Sequence, residues 1–363
     1  MNTTKLLVSC GTLGSGGAER VLSILSKGFA DAYGSVEYLM WVENDVFYQI
    51  DPRVKITSLE EISGKRGRLR ELPAFRRYVS ESKPDVVLSF LTPFSLLVLC
   101  ALWGKKTKVI VAERNAPHYI KGGKLMEWIR DLLFRRAAGV LVQTKESSTG
   151  YHSFLRKKIT TIYNPLFMPS DEVGSAVTHP KQNLLVSVGR LSPQKDQLTM
   201  IKAFKKFQTS HPDYQLIIYG EGECREQIEK AIQEAGLSEG VSLPGANSRV
   251  WDKMKPARAF VLSSIAEGLS NAMLEALCMG LPVVSTAVPG ANEFIVDGQN
   301  GYLVPIGDAE ALAERLCLVI DDGIASEQLS SSAHQLAAQL NEQEISNQWI
   351  TYINSILKDT NAA

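Results

Sequence analysis

The chain has 363 residues, 45% of them hydrophobic, enough for about two domains with substantial cores. Lys plus Arg and Asp plus Glu each number 39; this zero net charge argues against a nucleic-acid binder held by bulk electrostatics.

In chain order, the start "MNTTKLLVSCG" has no basic region leading into a long apolar run, so no signal peptide is expected. The apolar segment "FSLLVLCALWG", Phe94 to Gly104, is far shorter than the roughly 20 residues a membrane-spanning helix needs. Cys10, Cys100, Cys224, Cys278 and Cys317 are scattered without a Cys-x-x-Cys pair. They read as small hydrophobes in a reducing compartment. A soluble, cytoplasmic protein is expected.

The runs "KLLVSCG", "VEYLMWV", "PDVVLSFL" and "TKVIVAE" read as strands in the first half. In the second half "NLLVSVG", "QLIIYGEG", "VSLPG", "AFVLSS" and "LPVVSTAV" do the same. Val/Ile/Leu-rich strands separated by amphipathic segments imply parallel sheets covered on both faces. The series restarts near residue 183 after a Pro- and Ser-rich stretch. The expected organisation is a Rossmann-like domain over 1–165, a linker over 166–182 and a second Rossmann-like domain over 183–345. Ligands in such sheets bind beyond the carboxyl ends of the strands, so two facing units would form a cleft. The last segment, 346–363, is expected as a helix packing back toward the first domain. Ile345, Trp349, Ile353 and Ile356 line one side of this region.

Three loops carry the chemistry. "GTLGSGGAERVLSIL" follows the first strand, with small residues and a helix start that suit an anion. A dinucleotide site, with Glu43 as the ribose acid, fails on spacing, because Glu19 stands where a third small residue should pack helix on strand. "VGRLSPQKD" places Arg190 and Lys195 at the end of the strand that opens the second domain. A forked donor and a point charge there suit a diphosphate. In "AFVLSSIAEGLSNAMLEALCMGLPVVST", Ser270 or Asn271 can cap a helix. Leu274, Leu277, Cys278 and Leu281 then follow a buried-face spacing. The N–H groups of Leu269, Ser270 and Asn271 would meet a phosphate. Glu275, off the apolar face, would accept from ribose hydroxyls, and Glu267, before Gly268 in the loop, from sugar hydroxyls.

With "GGAE" (Gly16 to Glu19), "VGRLSPQKD", Glu267-x7-Glu275 and "VPGANEFIVDGQNGYLVP" in this order, the chain resembles the retaining glycosyltransferases of family 4. Their fold is GT-B, two doubly wound parallel-sheet domains facing a cleft. The resemblance implies a nucleotide-diphosphate sugar held mainly by the second domain, with Arg190 and Lys195 on the diphosphate. Gly16 and Gly17 would close over the phosphates, Glu275 would hold the ribose and Glu267 the sugar; Gly268, Leu269, Ser270 and Asn271 complete the expected donor site. The sequence contains no Asp-x-Asp, so no metal or other cofactor is expected, and Lys, Arg and helix N–H groups would stabilise the leaving diphosphate. Many relatives place a histidine soon after a first-domain strand. Here "VIVAERNAPHY" leaves Arg114, Asn115 or His118 as the expected contact with the reacting substrate. The "ERN" variant resembles a subgroup acting on surface polysaccharides and lipid-linked oligosaccharides.

Two basic stretches, "KRGRLRELPAFRRY" (Lys65 to Tyr78) and "KGGKLMEWIRDLLFRR" (Lys121 to Arg136), interleave cations with apolar residues. Such stretches rest on anionic membrane surfaces at about 1 kcal/mol per cation near the surface. The expected activity is transfer of a hexose or N-acetylhexosamine, UDP-linked, to a polyprenyl-diphosphate-linked saccharide at the inner face of the cell membrane. No nucleic-acid partner is expected. The alternatives are a GT-B sugar-nucleotide epimerase, needing acid and base groups around the sugar, and a sugar-nucleotide-binding protein without turnover.

Overall fold

The apolar runs form two all-parallel sheets in a computed structural model that describes residues 3–64, 67, 70–120, 122–166, 168–247 and 249–358. Lys65, Arg66, Arg68 and Leu69 of the first basic stretch, and Lys121 of the second, lie outside the described residues. Contacts divide the chain into one unit of Met1–Phe167 with Glu342–Ala363, and a second of Met168–Asn341.

In the first unit β1 (Lys5–Cys10), β2 (Ser35–Met40), β3 (Lys55–Ser58), β4 (Val86–Phe90), β5 (Lys108–Ala112), β6 (Gly139–Val142) and β7 (Ile159–Thr161) form a sheet ordered β3-β2-β1-β4-β5-β6-β7. Tyr38, Val8, Leu88 and Ile110 stand side by side across four strands, each fully buried. Strands covered on both faces need no alternation of apolar and polar residues, and these runs have none. In the second unit β8 (Leu184–Val188), β9 (Gln215–Tyr219), β10 (Val241–Gly245), β11 (Ala259–Leu262), β12 (Val283–Thr286) and β13 (Gly301–Val304) are ordered β10-β9-β8-β11-β12-β13. In both sheets the order reverses beside the first strand, between β1 and β4 and between β8 and β11. Such switch points open a crevice at the carboxyl ends of the strands.

Four strands lack the long apolar runs that mark the others. β3, β7 and β13 are edge strands of three or four residues, with Ile159–Thr161 only half-buried along its length. β6 is interior but short and opens on glycine. The segment 168–182, expected as linker, is built into the second unit. Gly174 and Ala176 donate their N–H groups to the carbonyls of Cys278 and Met279 at 2.9 Å, and Lys255 bridges to Glu172 at 2.6 Å.

The helix Glu342–Lys358 completes the first unit. It buries Ile345, Trp349 and Ile353 against the helix Gly17–Ala32 and the sheet. The Trp349 ring stacks on Phe90 at 5.7 Å and meets Phe29 edge-on at 6.3 Å. Replacing Trp349 with Ala should cost about 3–5 kcal/mol, the usual range for an emptied aromatic site. Denaturant unfolding checks this: a loss below about 1 kcal/mol would mean the helix adds little to this core.

Candidate active site

In the second unit the loops after β8 and β11 are laced together. Asp196 has a left-handed backbone (φ 45°) and caps the helix Gln197–Ser210, accepting from Thr199 N at 3.3 Å and Thr199 Oγ1 at 2.7 Å. This holds Lys195 at the rim of the sheet. Ser263 Oγ donates to the carbonyls of Lys195 and Asp196 at 2.9 Å. Gln194 accepts through its carbonyl from Ile265 N at 2.9 Å and donates Nε2 to the Ala266 carbonyl at 2.6 Å. From β12, Thr286 Oγ1 donates to the Ser264 carbonyl at 2.6 Å.

These bonds bring Lys195 and Glu267 together. Lys195 Nζ and Glu267 Oε1 form an ion pair, and Ser264 Oγ donates to the same oxygen at 2.7 Å. Glu267 is only 7% exposed, so the pair is shielded and its geometry constrained by short polar contacts. A cation and a carboxylate side by side can meet a phosphate oxygen and a sugar hydroxyl of one ligand. Arg190 lies exposed, its carbonyl held by Gln197 Nε2 at 2.9 Å.

Ser270 caps the helix Asn271–Cys278, accepting from Met273 N at 3.4 Å. Gly268 and Leu269 pack under Gly290, where an added Cβ would meet Leu269 Cδ1 at 2.8 Å. The helix is buried on every side from Met273 to Cys278. Glu275, expected on an outward-looking face, is therefore fully enclosed. The helix Ser326–Gln339 packs against this helix, so the heptad-like spacing that singled out one buried face understated the burial.

Sequence reasoning passed over Gln194, Ser263, Ser264 and Thr286, which position the pair. It also missed the Gly220-Glu221-Gly222 turn after β9. There a Cβ at Gly220 would fall 1.9 Å from the Gly189 carbonyl oxygen, and one at Gly222 would fall 2.2 Å from that of Leu191. The available signal was two small residues just past a strand.

In the first unit the loop after β1 is braced by the segment that follows β2. Asn44 Oδ1 accepts from Leu13 N at 2.9 Å, and Tyr48 OH donates to the Ser15 carbonyl at 3.1 Å. Gly16 is the N-cap of the helix Gly17–Ala32. Glu19 folds back over the cap, accepting from Thr12 Oγ1 at 3.1 Å. A Cβ on Gly16 would meet its carboxylate at 2.3 Å.

Beyond β5 the three expected contact residues part company. Arg114 is a core residue. It is 7% exposed, donates to Asn164 Oδ1 at 2.8 Å, and its guanidinium lies 5.0 Å from the ring centres of both Phe90 and Trp349. Burial pulls it down to about 9, which leaves it charged at neutral pH. Stacking on two aromatic faces accounts for its place at the strand end without a substrate. Asn115 is half-buried and His118 exposed, with His118 Nδ1 3.3 Å from Glu127 Oε1.

Glu113 is buried, accepting from Thr92 Oγ1. Burial pushes its carboxyl up from 4.5 to about 7, against the opposing pull of the Thr92 bond and of Arg130 and Arg114. A carboxyl raised on folding stabilises the folded state while protonated. That contribution is whole below about pH 4.5 and is lost as pH rises through about 7. Glu113→Gln should therefore gain thermal stability relative to the native chain as pH rises from about 5 to about 8. Melting curves across that range check it, and parallel pH profiles for the two proteins would count against it.

The profile "Glycosyl transferase 4-like domain" matches residues 16–165 and "Glycosyl transferases group 1" matches residues 172–336. Together with the two Rossmann-like sheets, these matches define the class: the chain belongs to the GT-B glycosyltransferases. One similar protein is the GalNAc-alpha-(1->4)-GalNAc-alpha-(1->3)-diNAcBac-PP-undecaprenol alpha-1,4-N-acetyl-D-galactosaminyltransferase of Campylobacter jejuni. It is 28% identical over 353 residues, covering 95% of this chain and 97% of that protein. A second Campylobacter jejuni relative, N-acetylgalactosamine-N,N'-diacetylbacillosaminyl-diphospho-undecaprenol 4-alpha-N-acetylgalactosaminyltransferase, is 26% identical and covers 96% of this chain and 99% of its own. Among solved structures, Anabaena HepE in complex with UDP and glucose superposes with a TM-score of 0.79 at 18% identity, over 97% of this chain and 100% of that one.

Proposed function

We propose that the protein is a retaining glycosyltransferase that moves a hexose or N-acetylhexosamine from a UDP-linked donor to a saccharide carried on a polyprenyl diphosphate. The observation that carries the proposal is the Lys195–Glu267 pair at the ends of β8 and β11, with Ser264 on the same carboxylate oxygen. In this reading Lys195 and Arg190 take the charge that develops on the departing diphosphate, without a metal. Glu267 orients the sugar by its hydroxyls, and the segment Gly268–Asn271 adds N–H groups to the phosphates. The acceptor hydroxyl bonds to the sugar's anomeric carbon as the bond to the diphosphate breaks, and its proton leaves with the diphosphate. Asn115 and His118, rather than the enclosed Arg114, meet the acceptor. Two relatives named for undecaprenyl-diphosphate substrates support this acceptor class, and a structural neighbour with bound UDP supports the donor.

The test is donor screening by thermal shift with a panel of nucleotide sugars, followed by transfer to a polyprenyl-diphosphate oligosaccharide read by mass spectrometry. Lys195→Ala and Arg190→Ala should each cost about 2–4 kcal/mol in transition-state stabilisation, as lost preorganised charge donors do. Activity should survive EDTA. Release of an epimerised or free sugar without any acceptor would favour the epimerase reading, and donor binding without turnover would favour a binding protein.

We further propose peripheral contact with an anionic membrane, through the second basic stretch. Among the described residues no helix is long and apolar enough to cross a membrane. In the first stretch Phe75 is fully buried and stacks on Trp41 at 5.1 Å, so this residue belongs to the core, as does Val79 just beyond. The helix Gly123–Phe134 instead exposes Leu125 (68%), Trp128 (47%) and Leu132 (40%). At its end Arg136 lies 3.6 Å from the ring centre of the exposed Trp103, and Arg135 lies 5.5 Å from that of Phe154. Apolar residues flanked by cations match a lipid surface bearing negative charge. Replacing Leu125, Trp128 and Leu132 with Gln should abolish sedimentation with anionic vesicles and leave UDP-sugar binding unchanged. Wild-type binding should weaken with salt as the screening length falls to ~8 Å at physiological strength. Failure of wild type to sediment at low salt would remove the membrane from the proposal.

A further inference from the structure

The helix Gly123–Phe134 exposes large apolar residues and buries two charged ones. It presents Leu125, Trp128 and Leu132 outward while burying Arg130 (1%) and Asp131 (0%). Burying a charge pair removes both groups from water, and apolar residues of similar size would often serve stability as well. What the pair holds explains its presence. Arg130 Nε donates to Asp131 Oδ1 at 2.8 Å, and its Nη1 donates to the Pro117 carbonyl. The guanidinium lies 4.4 Å from the ring centre of Tyr151. The other carboxylate oxygen of Asp131 accepts twice from His152, from the backbone N–H and from ring Nδ1, both at 2.8 Å.

The chain of contacts ends on the loop Asn115–His118. That loop is gripped a second time by Gly150, where an added Cβ would meet Pro117 at 2.7 Å and His118 Nε2 at 3.1 Å. Arg130 takes hold of a loop carbonyl, and Gly150 lets the chain close over the loop's proline ring. Of the residues expected to touch the acceptor, the two that are not enclosed, Asn115 and His118, stand on either side of the clamped segment.

We propose that Arg130, locked by Asp131 and His152, is a positioning residue that fixes the Asn115–His118 loop for the saccharide acceptor. This rests on the glycosyltransferase reading of that loop. Arg130 touches no substrate; it acts through the Pro117 carbonyl. Losing one charge-assisted bond should raise loop opening roughly ten- to a hundredfold, and the KM for acceptor should rise with it while donor affinity stays at the wild-type value.

The experiment uses the whole 363-residue chain with Arg130→Met, Arg130→Lys, His152→Ala and Gly150→Ala. Hydrogen exchange by mass spectrometry follows a peptide spanning 115–120 alongside peptides from β4 and β5, and steady-state kinetics separate acceptor KM, donor KM and kcat. The expected result is faster exchange confined to 115–120, a raised acceptor KM, and partial recovery in Arg130→Lys, which keeps a donor. If Arg130→Met does not fold, His152→Ala and Gly150→Ala decide, because His152 is partly exposed and neither change removes the buried charge pair. Wild-type exchange at 115–120 in both, or exchange that rises equally in β4 and β5, overturns the proposal. So does a loosened loop with an unchanged acceptor KM. A native protein that transfers sugar to no acceptor defeats the glycosyltransferase reading and the loop's role with it. A native protein that transfers while every variant keeps its KM defeats the positioning role alone.

Discussion

A parallel strand buried on both faces has no surface on which to carry chemistry except its ends. Both sheets of this protein obey that constraint, and Arg114, Lys195, Ser264 and Glu267 follow the carboxyl ends of strands. In the second unit the carboxyl ends of β8 and β11 lie next to each other at the point where strand order reverses. Lys195 and Glu267 therefore meet although 72 positions separate them. A shielded ion pair loses much of its solvation, and its attraction compensates only with good geometry and further hydrogen bonds. Ser264 supplies one such bond directly, while Ser263, Gln194 and Thr286 hold the two loops that carry the charges.

The first unit solves a similar problem differently. Glu113, Arg114, Arg130 and Asp131 are all buried near the end of β5, and no two of them are held in the same way. Arg114 lies against two aromatic rings, Glu113 is shifted toward its neutral form, and Arg130 and Asp131 pair with each other and with loop and backbone groups. Such groups persist when each has a partner suited to its charge, since an unsupported buried charge is far more costly than a paired one. Enclosing Arg114 leaves Asn115 and His118 as the more exposed of the three residues expected to contact the substrate. With Arg130 and Asp131 enclosed, Leu125, Trp128 and Leu132 of the helix Gly123–Phe134 face outward.

That helix and the one beginning at Leu72 show why composition along a helix does not settle which side faces water. Both mix cations with Leu and aromatic residues. In Leu72–Ser82 the apolar side, with Phe75 and Val79, completes a core around Trp41. In Gly123–Phe134 the core-facing positions are taken by Arg130, Asp131 and Phe134, because the loop Asn115–His118 and the segment Tyr151–His152 offer polar partners there. Periodicity is the same kind of signal in both cases, and the neighbours decide its sign.

The sequence by itself determined the fold class. Uninterrupted Val, Ile and Leu runs bounded by turn residues suit sheets covered on both faces, and small residues and cations just past those runs pointed to the candidate site. The signal faded at β3, β7 and β13, where edge strands are short and half-exposed, so the drive to be apolar is weak. It also named Lys195, Glu267, Ser270 and the glycine loop from local features alone. Only tertiary structure decided that Lys195 and Glu267 touch, that Glu275 and Arg114 are enclosed, and that Arg130 reaches Pro117. Those outcomes depend on contacts between segments distant in sequence. Burial, charge pairing and the direction of a helix face belong to the packed set of neighbours, and no window along the chain contains that set.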